Sequence, residues 1–248
     1  MNRWKAAFTH LLISLTVVGS VAGYIICFWY PIPLIPMARA DRLLELIAGV
    51  DLIVGPLLTL LVYKPGKPSL RFDLTVIGLL QAVFLGFGLH SVYDSRPVFL
   101  VAVPDRFELV FANEIDPGRL SQAKNPKFRT LGYGKPVLLG VEFPRSNKDE
   151  MQAILMSAVT GSGDIQMMPK YYVDYAKAAP ELLKHAQPLT AASGRSADAV
   201  TAMVAAAKRY GRKPEELRFV PIASSRGYAT MLIDAKTGAL AGPVNADL

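Results

Sequence analysis

The residue in this chain best placed to do chemistry is an aspartate inside an apolar run. Asp51 lies within Leu43 to Tyr63, LLELIAGVDLIVGPLLTLLVY, a stretch of 21 residues that is apolar enough to span a bilayer. If a helix begins near Leu43, Asp51 sits about 12 Å along it at the usual helical rise. A carboxylate at that depth costs a few kcal/mol unless it faces protein or water, or takes up a proton. Gly49, Gly55 and Pro56 surround it. Asp51 and Gly55 are four apart and share a helix face, which joins an acid to a point where a neighbouring backbone can come close. Two readings follow. The face docks a helix or moves a proton, or it makes an internal hydrogen bond that fixes the packing of this protein's own helices.

Other catalytic patterns are missing from the sequence. It contains no HExxH, P-loop, GxSxG or DxD motif, and the Gly161-Ser162-Gly163 run reads as a helix-ending turn. After residue 93 the one histidine is His185, so neither a histidine-based acid–base pair nor a histidine metal site can be assembled there. The pairs Asp149-Glu150 and Glu215-Glu216 fit the first turns of helices, where the helix dipole accounts for them. No catalytic, cofactor-binding or metal-ligating residue is assigned, and the expectation is a protein that is not an enzyme. The lone cysteine, Cys27, lies in an apolar segment and excludes an internal disulfide.

Three apolar segments must position Asp51. They are about 6–30, 43–63 and 74–93, each with the roughly 20 residues that a spanning helix needs. The 25-residue length of the first exceeds the 7–15 of a signal-peptide core, so Ala38-Arg39-Ala40 is read as an uncleaved connection despite its resemblance to a cleavage site. That first segment carries Gly19 and Gly23 as a GxxxG pair suited to close helix contact, and Phe28-Trp29-Tyr30 as an aromatic belt. His10 sits near its start with no obvious partner. The third segment holds Gln81 and His90. His90 either pairs with Glu45 at similar depth or snorkels to the interface with it.

Charge sets the expected orientation. Arg3, Lys5, Lys64, Lys67 and Arg71 flank one side, and Arg39 and Arg42 the other, which places the N-terminus in the cytoplasm. Residues 94–248 then emerge outside. The net charge of +7 is spread along the chain without a basic, aromatic-laced block, so no nucleic-acid partner is expected.

The last 155 residues read as one α+β domain. Pro97–Val103 and Phe107–Phe111 form a hairpin about Pro104-Asp105, and Pro136–Phe143 is a third strand. Asp116–Lys135 reads as a polar loop. Ser146 is expected to cap a helix running to Gly161, with Asp149 in the capping-box position. Tyr171–His185 is amphipathic with a break at Pro180, and Ser196–Tyr210 is a helix ended by Gly211. Arg218–Ala223, Tyr228–Ile233 and Ala239–Val244 are strands, the last two joined by a turn at Asp234–Gly238. Met167, Met168, Tyr171 and Tyr172 are read either as core or as an adaptable binding surface.

The run Gly49-Val50-Asp51-Leu52-Ile53-Val54-Gly55-Pro56-Leu57-Leu58-Thr59-Leu60 resembles the signature of type IV pilin accessory proteins of the TfpX/TfpZ type. Lys67-Pro68-Ser69-Leu70-Arg71-Phe72-Asp73-Leu74, Arg96-Pro97-Val98-Phe99, Asp105-Arg106-Phe107-Glu108 and Trp29-Tyr30-Pro31 continue the match, which is specific over roughly residues 1–112. The resemblance implies a bacterial inner-membrane protein with a three-helix transmembrane anchor over residues 1–93 and a periplasmic α+β domain over 94–248. It implies action on the major type IV pilin as chaperone or modulator of assembly, through the pilin's membrane helix and its head, with the lipid bilayer as surroundings. Asp51, Gly55, Pro56, Gly19 and Gly23 are the candidate helix-packing or pilin-contact residues. A membrane-anchored sensor with a ligand-binding outer domain is the alternative. It calls for a cytoplasmic output module, which the short N-terminus and single inner turn do not supply. A pilin glycosyltransferase ranks third and lacks its nucleotide-sugar site.

Overall fold

The computed structural model describes residues 2–189 and 197–246. It forms two compact units, Met1–Phe28 with Arg39–Ser95, and Trp29–Ala38 with Arg96–Leu248.

The first unit is helical. Helix α1 (Arg3–Tyr24) is capped by Asn2, whose side chain accepts from Lys5 N at 2.9 Å, and it runs on into a π-turn at Ile25–Trp29. The short α2 (Ile35–Ala38) belongs to the second unit. The next helical run is α3 (Ala40–Gly49), a π-turn at Val50–Val54, and α4 (Gly55–Val62). Helix α5 (Leu70–Asp94) follows the turn at Pro65–Ser69. Three stretches, Arg3–Trp29, Ala40–Val62 and Leu70–Asp94, are long and apolar enough to cross a membrane. Each begins three or four residues before the apolar segment read from sequence. Arg3, Lys5, Asp41, Arg42, Arg71 and Asp73 break the apolar run but sustain helical hydrogen bonding, so hydropathy misses the first turn of each helix and finds its end.

The bundle is apolar on its outer surface as well as in its interior, where Ile25, Ile47, Ile77 and Val92 are buried with a few polar groups. Phe8, Leu12, Leu15, Leu61, Leu79 and Phe87 point outward, while Ser14, Asp51 and Thr59 are buried. The apolar outer face departs from the amphipathic pattern of a helix in water.

The second unit is built on a mixed eight-stranded sheet. Strands β1 (Pro97–Ala102) and β2 (Phe107–Phe111) form the expected antiparallel hairpin. β3 (Val137–Val141) pairs parallel to β1, and the two-residue β4 (Tyr172–Val173) pairs antiparallel to β3. β5 (Gln187–Pro188) pairs with β6 (Leu217–Ala223), which continues antiparallel into β7 (Tyr228–Asp234) and β8 (Leu240–Val244). A parallel contact of two residue pairs, Phe107 with Ile222 and Glu108 with Ala223, joins the halves in the order β4-β3-β1-β2-β6-β7-β8.

Several local expectations need correction. The stretch 116–135 is not simply a polar loop: it contains α6 (Pro117–Leu120) and a turn at Pro126–Phe128, and it buries Leu120, Ala123 and Phe128 in the core. Helix α7 (Lys148–Val159) is capped by Asn147, not Ser146, because the Asn147 Oδ1 reaches Glu150 N at 3.1 Å. Helix α8 (Tyr175–His185) begins four residues late and passes through Pro180 unbroken. Tyr172 is spent on β4 and the core, edge-on to Phe99 with ring centroids 5.3 Å apart. Helix α9 spans Ala197–Arg209, and the expected start at Ser196 lies outside the described residues.

The second unit also holds the connection Trp29–Ala38. Tyr30, Leu34, Met37 and Ala38 are buried. The turn after β6 approaches it closely: a Cβ on Gly227 would stand 3.1 Å from the Met37 carbonyl oxygen. Arg226 lies over the Phe111 ring at 3.7 Å and donates to Ala38 O at 3.5 Å. Arg96, of the Arg-Pro-Val-Phe run, is 2% exposed and donates twice to Gly132 O, at 3.2 and 3.0 Å.

Candidate functional site: a polar lock among apolar helices

The first unit gathers its buried polar side chains at one place. His10 on α1 meets Thr59 on α4 through Nδ1 at 2.5 Å and Gln81 on α5 through Nε2 at 2.6 Å. The Gln81 Nε2 donates to both the backbone oxygen and Oδ1 of Asp51, each at 3.2 Å. The Gln81 amide nitrogen faces Asp51 and its oxygen faces His10, where it accepts from Nε2. The Thr59 hydroxyl pairs with Nδ1, so one continuous chain of hydrogen bonds joins Thr59, His10, Gln81 and Asp51. Both ring nitrogens of His10 are taken, which leaves neither for a metal.

The backbone explains why Gln81 is needed. In the π-turn Val50–Val54 the Gly55 N–H bonds to Val50 O. The same five-residue spacing would pair Asp51 O with residue 56, but that residue is proline and has no N–H. Gln81 supplies the missing donor. Gly55 makes room for it: a Cβ there would collide with the Gln81 amide, lying 2.6 Å from its Cδ. Asp51, Gly55 and Pro56 thus act together as the socket for one side chain of the neighbouring helix. Buried polar groups in such a bundle are held by partners because an unmet one is costly.

Asp51 is 4% exposed, so the carboxylate faces protein. It borders two cavities, one of about 240 Å³ with His10, Ser14 and Gly78, and one of about 330 Å³ with Leu46, Ile47 and Phe84.

Gly19 and Gly23 are not part of this cluster. Both are exposed on α1, with nothing within 4 Å of a Cβ at either position. His90 pairs with Asp94 one turn on, Nε2 to Oδ2 3.2 Å, rather than with Glu45. The expectation that His10 lacks a partner is overturned. Its partners lie 49 and 71 residues away, beyond any local pattern. Each apolar segment holds few polar residues, and matching them by depth is the signal that could have joined His10, Thr59 and Gln81.

Comparison with known proteins gives a consistent result. The family model for fimbrial assembly protein FimB matches residues 1–38. A fimbrial assembly protein of serogroup I from Dichelobacter nodosus is 30% identical over 236 residues, covering 92% of this chain and 89% of that protein. A serogroup E1 counterpart from the same organism is 29% identical over 232 residues, with the same coverage, and one of serogroups C1 and C2 is 33% identical over 121 residues, 48% of this chain and 92% of its own length. No solved structure matches. Similarity at this level over nearly the whole of both chains agrees with the resemblance to pilin accessory proteins, and the chain belongs to the fimbrial assembly protein family.

Proposed function

We propose that this chain is an inner-membrane accessory protein that helps the major type IV pilin assemble, acting as a chaperone or modulator and not as an enzyme. The observation that carries the reading is a helical unit with an apolar outer surface and its polar cluster held inside, in a relative of fimbrial assembly proteins. Such a bundle suits a bilayer, where each backbone and side-chain polar group needs a partner. The charge bias at the helix ends favours a cytoplasmic N-terminus and a periplasmic second unit.

Within this reading the five candidate residues divide their work. Asp51, Gly55 and Pro56 hold the helices to one another, while Gly19 and Gly23 offer an open, side-chain-free stripe for the pilin's membrane helix. The second unit holds the pilin head. Deleting the gene and measuring surface pilin as a fraction of total pilin tests this. A fall restored by the wild-type gene supports an assembly role; an unchanged fraction with pilin plainly expressed overturns it.

A further inference from the structure

In the second unit, the parallel contact between β2 and β6 ends after two residue pairs, and β6 turns away at Ser224. A cavity of about 420 Å³ opens there, within the usual size of a small-ligand site. Leu109, Val110, Met167, Ala223 and Tyr228 give it apolar walls. Its polar groups are Glu108, Arg106, Glu114, Gln166 and the two serines 224 and 225.

Glu108 decides what fits. It is 8% exposed. Its Oε1 accepts from Arg106 Nε at 2.5 Å, and its Oε2 accepts no hydrogen bond among the described residues. That oxygen is not sealed off, unlike the Gln166 Oε1, which is buried and has no donor. Charges of both signs stand nearby, with Arg106 closest to Glu108 and Asp164 and Asp105 beyond it. Burial raises the Glu108 carboxyl above the usual carboxylate range, Arg106 opposes the rise, and Asp164 and Asp105 add to it. Arg106 is already shared between Glu108 and Asp105, 3.1 Å from the latter's Oδ1. Glu114 is occupied by Phe111 N at 2.9 Å and by the Ser225 hydroxyl. The cavity therefore sets apolar side chains beside a carboxylate oxygen to which no described residue donates.

We propose that this cavity binds a primary ammonium carried on an aliphatic stem, with Glu108 Oε2 accepting from the ammonium and the walls packing on the stem. A lysine side chain of a protein partner and a free alkylamine share this chemistry. The assignment does not rest on the fimbrial reading.

The test is calorimetric titration of the purified full chain with Nα-acetyl-lysine methylamide, its norleucine analogue and n-butylammonium. Saturable binding is expected for an ammonium probe and not for norleucine. Glu108→Gln should weaken it tenfold or more. Ala223→Met, which fills the cavity without changing charge, should abolish it at an unchanged unfolding temperature. If Glu108→Gln fails to fold, Ala223→Met and the norleucine comparison still decide the matter. Tighter binding of the blocked lysine would identify a protein side chain as the ligand, and equal or tighter binding of n-butylammonium a free amine. No saturable binding of either ammonium, equal binding of norleucine, or binding undiminished in Ala223→Met would overturn the proposal.

Discussion

Gln81 Nε2 stands 3.2 Å from the backbone oxygen of Asp51, where the N–H of residue 56 would serve a π-turn if that residue were not proline. A side chain from one helix thus completes the backbone hydrogen bonding of another. Substitution of Gln81 by leucine should leave the Asp51 carbonyl, its carboxylate and His10 Nε2 without their shared partner. Each loss is worth about 0.6–2 kcal/mol in a bundle of this kind. A destabilisation of about 2 kcal/mol is expected, read as denaturant unfolding of the full chain in detergent. Wild-type stability in Gln81→Leu would show that the lock does not hold the bundle.

Gly55 and the pair Gly19 and Gly23 should respond oppositely to alanine. At Gly55 the new methyl would enter the space of the Gln81 amide, and expelling that amide breaks the lock. At Gly19 and Gly23 the methyl meets nothing. Gly55→Ala should therefore lower stability by an amount close to that of Gln81→Leu, and the double variant should be no worse than either single one, since both remove the same contact. Gly19→Leu with Gly23→Leu should leave stability within about 0.5 kcal/mol and, on the proposed function, reduce co-purification of pilin. Co-purification unchanged at equal protein level would remove the stripe from the pilin-binding surface.

How far the sequence revealed this arrangement depends on distance along the chain. Asp51, Gly55 and Pro56 stood out because an acid, a glycine and a proline are each conspicuous in an apolar helix. The hairpin at Pro97–Phe111 and the final strands were equally readable, because local alternation and turn residues determine them. What could not be read was which helix would meet Asp51. Gln81 is 30 residues on and His10 is 71 residues from Gln81, and no period links them. The cap of α7 slipped by one residue because Ser146 and Asn147 are both good caps, and the geometry of the preceding turn selects between them. The cavity beside Glu108 was invisible for a different reason: it forms where two strands far apart in sequence stop pairing.

Gly140 is a further close approach, this time between sheet and helix in the second unit. A Cβ on Gly140 would overlap Ala178 Cβ on α8 and lie 3.6 Å from its Cα, so the helix rests directly on the strand. Gly140→Ala should push α8 outward and cost about 1–3 kcal/mol through overpacking. The matched variant Gly132→Ala, where nothing lies within 4 Å, should be near neutral. Thermal unfolding of the two variants side by side checks the contrast, and equal midpoints would contradict the packing described.

Asp234 at the end of β7 should make the last hairpin sensitive to acid. The Thr237 N–H holds its carboxyl far below the usual carboxylate range, with Arg212, the Lys236 N–H and the Thr237 hydroxyl adding to the effect. A depressed folded-state value means that the ionised form stabilises the fold. That stabilisation is fully present above the unfolded value of about 3.9 and is lost as pH falls below it toward the folded value. Glu108 has the opposite sign: its raised value gives a contribution that is complete below about 4.3 and lost as pH rises through the folded value. A global unfolding curve would mix the two, so the readout must be local. Hydrogen exchange of the 234–238 turn amides, corrected for intrinsic rate, should show protection falling steeply below pH 4 in the wild type. Asp234→Asn keeps an oxygen acceptor but loses the charge. It should give lower protection at pH 7 and a flatter profile below pH 4, and an unchanged slope would show that Asp234 does not set the acid response of this turn.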